Sequence, residues 1–209
     1  MSDESPILEP VEGIDASDIQ SQALLSDNDP LEMVQYQVLK TFLGILKRKL
    51  SFNDFTRECL LAMSHAIPVD AASLLERDVQ RNCLFFRAAT GYSSHQIINF
   101  MIPEHQGIAG QVISTNAPVI ESHVQKNPFH LKTIGDAVDF QVKNMAAFPV
   151  RVRGHVYGVL ELMNRHGQDE FSQTDLELLE SIVRWLGLMI EVKMMKTWSE
   201  KRIHQKKAA

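Results

Sequence analysis

The hydrophobic period of this chain changes twice, from helical to alternating and back to helical, and few folds accommodate that order. Leu31, Val34, Val38, Leu39, Phe42, Ile45, Leu46 and Leu50 recur at helical spacing. Ser51-Phe52-Asn53-Asp54 then has the form of a capping box, with Leu50 and Phe55 placed to staple it. A second helix is expected over 52–66, stopping before Pro68, with Phe55, Cys59, Leu60, Met63 and Ile67 on its apolar face. Cys59 on that face reads as a core residue. From there the period drops to two. Strands are expected at 71–76 and 83–90 around a polar turn, at 98–102, at 118–121, and at 144–153 and 155–164 around Gly154. A short helix, 107–115, interrupts them. A last helix begins after Ser172 and carries the stripe Leu176, Leu179, Ile182, Val183, Leu186, Ile190 and Met194. Hairpin-connected strands with segregated helices define an α+β fold. The expectation is a five- or six-stranded, mostly antiparallel sheet. The 31–49, 52–66 and 173–195 helices share one face.

Charge divides the chain. Residues 1–29 hold eight acidic side chains and no Lys or Arg, which leaves 18 acidic against 21 basic in 30–209. The first segment lacks aromatic residues and apolar periodicity, so it is expected to be a solvated, disordered tail, with partner docking or self-masking as the sharper alternative. The expected organisation is this acidic tail, a domain over 30–198, and a basic tail over 199–209. No run of 18 apolar residues and no basic-apolar leader pattern occurs, so a cytoplasmic protein without a membrane span is expected, its two cysteines, Cys59 and Cys83, free thiols.

Eight short motifs follow one another between 102 and 175: Ile102-Pro103, Gly107-Ile108-Ala109-Gly110-Gln111-Val112, Pro118-Val119-Ile120, Asn127-Pro128-Phe129, Lys143-Asn144-Met145, Phe148-Pro149-Val150, the run 158–164, and Phe171 with Asp175. In that order they resemble a GAF domain, and the flanking segments extend the resemblance over about 31–198. The wording is closest to GAF domains of cyclic-nucleotide phosphodiesterases, adenylyl cyclases and bacterial sensors. The resemblance implies a ligand pocket between the sheet and the 107–115 helix, closed by the 122–140 loop. The candidate ligand-binding residues are Gly107, Ile108, Ala109, His123, Phe129, Asp139, Phe140, Asn144 and Glu161.

Each candidate has a plainer reading. Gly107 and Gly110 open a helix whose free N–H groups suit a phosphate, or they let that helix pack close to the sheet. Glu161 either accepts a hydrogen bond from a ligand or faces solvent, depending on which way the strand alternates. Asn164-Arg165, Phe171 and Asp175 resemble a signature of the phosphodiesterase branch, with Leu176 in place of its final Glu. Ser172 and Asp175 also make a capping box that Phe171 and Leu176 can staple. His123 stands where relatives carry Asp, and Asp139 and Val142 where Gly and Thr are common. These changes point away from a cyclic nucleotide to a different ligand or none, and the charge of Asp139 favours a neutral or zwitterionic ligand over a multiply charged anion.

No metal-ligand spacing, ATP loop or Ser-His-Asp order is present, and 84–209 contains no cysteine, against a sulfoxide-reductase chemistry. The expectation is a regulatory, small-molecule-sensing module, not an enzyme, that lacks its own output domain and signals to a separate protein partner. A ligand-free dimerisation or docking platform is the alternative. The ligand is a cyclic nucleotide or another small metabolite, or there is none. Homodimerisation is expected through the first and last helices, with Val38, Phe42, Leu186, Ile190 and Met194 as candidate interface residues. Nucleic acid is not an expected partner, because the basic residues near the C-terminus fit a solvated helix end.

Overall fold

The computed structural model describes residues 29–91, 94–129, 131 and 139–208. The expectations for residues 1–28, for His130 and for 132–138 of the loop lie outside those residues. The elements follow the order read from the sequence: α1 (Pro30–Lys47), α2 (Phe52–Ala66), β1 (Val69–Asp78), β2 (Cys83–Thr90), β3 (Met101–Pro103), α3 (Gly107–Thr115), β4 (Val119–Glu121), β5 (Met145–Val152), β6 (His155–Arg165) and α4 (Gln173–Ala208). The six strands form one sheet in the order β3-β2-β1-β6-β5-β4, and every neighbouring pair is antiparallel. The third strand is shorter than 98–102, because a 3-10 turn (Ser94–Gln96) and the turn behind it occupy the chain as far as Phe100.

The helix starts follow local chemistry. Asp29 caps α1 by accepting the Leu31 N–H. Ser51 Oγ accepts the Asp54 N–H at 3.1 Å. At α4 the capping box is reciprocal. Asp175 N–H donates to Ser172 Oγ at 3.1 Å, and Ser172 N–H donates to Asp175 Oδ2 at 2.9 Å.

The sheet has a core on each face. One holds α1, α2 and α4 against Leu74, Ala146, Phe148, Leu160 and Leu162. The other holds α3 against Leu75, Phe86, Met145, Val159 and Met163. Strand alternation separates them, with Leu160 and Leu162 facing the three helices and Val159 and Met163 facing α3. Cys59 lies in the helix-side core, where burial pushes its thiol up to about 12.

Four of the expected interface residues belong to that same core. Val38, Phe42, Leu186 and Ile190 are buried within the chain and present no surface to a partner. The apolar stripes of α1 and α4 are buried against α2, the sheet and each other. Met194 is half-buried at its edge. Other apolar residues point outward from the same helices: Met33, Tyr36 and Leu43 on α1, and Leu188, Met195 and Trp198 on α4. α1 and α4 run side by side in the same direction. Gln35 Nε2 donates to Ser181 Oγ near one end, and Lys196 Nζ to the Leu46 carbonyl near the other. Lys193, buried, donates to the Leu50 carbonyl at 2.6 Å and lies over the Phe55 ring.

Candidate functional site

Between α3 and the sheet lies a cavity of about 90 Å³. Its floor lies on a cross-strand row in which Ser73 and Ala89 are small lining residues. Ser73 on β1 pairs with Ala89 on β2 and with Glu161 on β6, and Glu161 pairs in turn with Ala147 on β5. Small side chains in that row leave room beneath α3. Leu75, Phe86, Ile102, Ile108, Met145 and Met163 supply apolar walls, and Phe140 and Val142 approach from the end of the long loop.

Glu161 is the one ionisable side chain among the described residues that line the cavity. Alternation along β6 turns it inward, and it is 8% exposed. Ser73 Oγ donates to its Oε2 at 2.8 Å, and Oε1 has no partner among the described residues. Desolvation raises its pKa to about 7 against the smaller opposing effect of the Ser73 hydrogen bond. The carboxyl therefore exchanges its proton near neutrality.

Gly107, Ile108 and Ala109 line the cavity as expected, at the start of α3, where no side chain caps the helix. Backbone geometry explains the glycines. Gly107 has φ +76°, and a Cβ on Gly110 would come within 2.6 Å of the His105 backbone carbon. Gly107 is thus a turn glycine and Gly110 lets α3 pack against the 104–105 backbone rather than against the sheet, while the free end of α3 still borders the cavity.

Four candidates fall elsewhere. His123 is exposed because the Glu121 carboxylate folds the chain back on itself, accepting the His123 N–H and the Asn127 amide, each at 2.9 Å. These two hydrogen bonds hold the Glu121 pKa below the usual carboxylate range. Phe129 is 51% exposed, its N–H bound to Asn127 Oδ1. Asp139 sits in a left-handed turn (φ +51°) with its side chain exposed, so it places no buried charge in the cavity, and the following ring, Phe140, reaches the wall. Asn144 is buried but faces the β6–α4 connection, donating to the Gln168 and Asp169 carbonyls and accepting the Arg165 N–H.

The signature-like residues knit the same corner. Asn164 binds the Lys143 N–H, the Gln141 carbonyl and Asp70, and Arg165 pairs with Asp175 at 3.1 Å. None of them lines the cavity. Ser73 and Ala89 were missed, since only the strand register brings Ser73 beside Glu161 and Ala89 beside Ser73. No cluster of three metal-ligating side chains occurs among the described residues. Nor is any helix among them long and apolar enough to cross a membrane.

A six-stranded antiparallel sheet with a helix layer on one face and a helix-roofed cavity on the other defines an α+β module. Comparison with known proteins gives the family. Residues 49–191 match the GAF domain family, and the chain belongs to it. It is similar to the Nif-specific regulatory protein of Azospirillum brasilense, with 25% identity over 187 residues. That match covers 86% of this chain but 28% of the relative, so the chain spans little more than a quarter of that protein's length. The GAF domain of a phosphoenolpyruvate-protein phosphotransferase from Coxiella burnetii has a similar fold, with a TM-score of 0.68 at 16% identity, covering 79% of this chain and 97% of that one. So has free methionine-R-sulfoxide reductase from Neisseria meningitidis, with a TM-score of 0.64 at 16% identity, covering 82% and 96%.

Proposed function

We propose that this chain is a small-molecule-sensing regulatory module rather than an enzyme, and that the cavity beneath α3 is its ligand site. The observation that carries this reading is a buried carboxyl with one oxygen unpartnered among the described residues, in a mostly apolar cavity. A residue needed only for packing would be apolar there, because burying an unpaired carboxyl is costly. The regulatory character of the Azospirillum relative fits this reading. The reductase reading has less support, since neither Cys59 nor Cys83 borders the cavity and both are buried. A cyclic nucleotide is a poor match. The cavity is small, and no Lys, Arg or His among the described residues lines it to receive a phosphate.

Output passes through α1 and α4 to a partner protein, and the module works as a homodimer. The outward residues Tyr36 and Leu43 lie one heptad apart on α1, as do Leu188 and Met195 on α4. Two such helices side by side present the seam that pairs with a second copy of itself.

The site is tested by NMR with methyl-labelled methionine. Compounds from a metabolite panel that bind should shift the methyls of Met145 and Met163, which line the cavity. Shifts confined to methionines elsewhere, whatever the compound, would contradict the assignment.

A further inference from the structure

We infer that the ligand taken by this cavity is a small monoamine, its apolar body under α3 and its ammonium group on Glu161. This deepens the sensing reading and rests on it.

Charge gives the first argument. Glu161 is more than nine-tenths buried, and Ser73 satisfies one of its oxygens. The cross-strand neighbours on either side, Ser73 and Ala147, supply no cation. Among the described residues, β1, β2, β5 and α3 bring no other titratable side chain to the cavity wall. A carboxylate so placed has two ways to avoid standing unpaired. It keeps its proton, or it meets a cation. The empty cavity favours the first, in keeping with a pKa pushed up to about 7. A ligand ammonium provides the second, with a charge-assisted hydrogen bond to Oε1.

Repulsion gives the second argument. A ligand carboxylate or phosphate beside ionised Glu161 would meet a like charge in a medium of low dielectric, with no cationic side chain among the described lining residues to offset it. The partial positive charge at the start of α3 is equivalent to about half an elementary charge and does not balance a full anion.

Size gives the third. An engineered apolar protein cavity of about 150 Å³ accepts benzene. The space here, about 90 Å³, is smaller than that, so it limits the apolar body to a single ring at most or a short branched chain. The walls offer Phe86, Ile102, Met145 and Met163 to such a body.

The test is calorimetric titration with three probes of one shape: benzylamine, benzyl alcohol and benzoate. At about pH 8, benzylamine should bind at least about tenfold more tightly than the alcohol, the scale of a hydrogen bond to a charged group, and benzoate should bind more weakly than either. Benzylamine affinity should fall as pH drops from about 8 to about 5.5, approaching about tenfold per unit once Glu161 holds its proton. Benzyl alcohol affinity should change far less. In Glu161→Gln the amine preference should vanish while the alcohol still binds, which also shows that the variant folds with its cavity intact. Benzoate binding as tightly as benzylamine, or an unchanged amine preference in Glu161→Gln, would overturn the inference. So would binding by none of the three, or by the alcohol without preference for the amine. In those cases the sensing reading still stands if other compounds shift the Met145 and Met163 methyls, and falls if none does.

Discussion

Glu161 links stability to pH in a way that can be read directly. Its carboxyl is held near 7 in the folded chain, above the 4.5 of the unfolded one. Between those values the unfolded state has released the proton and the folded state has not, so folding stability falls as pH rises across that window and levels off above it. At one pKa unit per 1.36 kcal/mol, the loss is on the order of 3 kcal/mol. Glu161→Gln should remove this component. Urea unfolding of both proteins from about pH 5 to about pH 8 should show the variant gaining stability relative to the parent as pH rises. A constant difference would mean that the carboxyl ionises in the fold as it does in water. The type and strand of this residue were legible in the sequence, since a Glu in an apolar strand is conspicuous. Its orientation was not. Alternation fixes two faces but does not say which one meets solvent, and the answer came from helices packing on both sides of the sheet. His123 and Asp139 went astray for a related reason. Loop side chains are placed by local hydrogen bonds and turns, here Glu121 and a left-handed residue, that leave no periodic trace.

Elements were the most legible scale, because caps and periods are local. The Ser172–Asp175 box starts α4 where the sequence places it. Ser172→Ala should cost about 1 kcal/mol in denaturant unfolding, and no measurable change would mean that solvent satisfies the Asp175 N–H equally well. α3 is a different case. Its seat depends on the missing Cβ of Gly110, which the Glu104–His105 backbone would otherwise strike. Gly110→Ala should destabilise the fold by roughly 1–3 kcal/mol and lift the roof of the cavity, visible as shifted Met145 and Met163 methyl resonances. A neutral substitution would show that α3 is loosely seated. The sequence suggested close packing at this glycine but not its counterpart, since the 104–105 backbone approaches through a turn.

At the scale of the molecule, the helix layer has two sides that periodicity alone did not separate. A stripe on a helix shows that something covers it, not whether that is the same chain or another. Val38, Phe42, Leu186 and Ile190 turned out to be covered from within. The surface left for a second copy carries Tyr36, Leu43, Leu188 and Met195. Sedimentation at micromolar concentration should give about twice the chain's 23.7 kDa, and Leu188→Asp with Met195→Glu should give a monomer that still folds. Leu186→Asp, by contrast, should unfold the chain. A parent protein that sediments as a monomer would remove the dimer from the account.

The claim on which the rest depends is that the space under α3 is a ligand site. Thermal unfolding of the parent chain and of Ala109→Leu, each with the same panel of amines, neutral metabolites, cAMP and cGMP, tests it most directly. Ala109 borders the cavity from α3, so the added carbons occupy the space a ligand needs. The account predicts that at least one small compound raises the midpoint of the parent in proportion to the logarithm of its concentration. The same compound should leave that of Ala109→Leu unchanged. Equal shifts in both proteins would place binding elsewhere and contradict the account, and so would no shift in the parent with any compound.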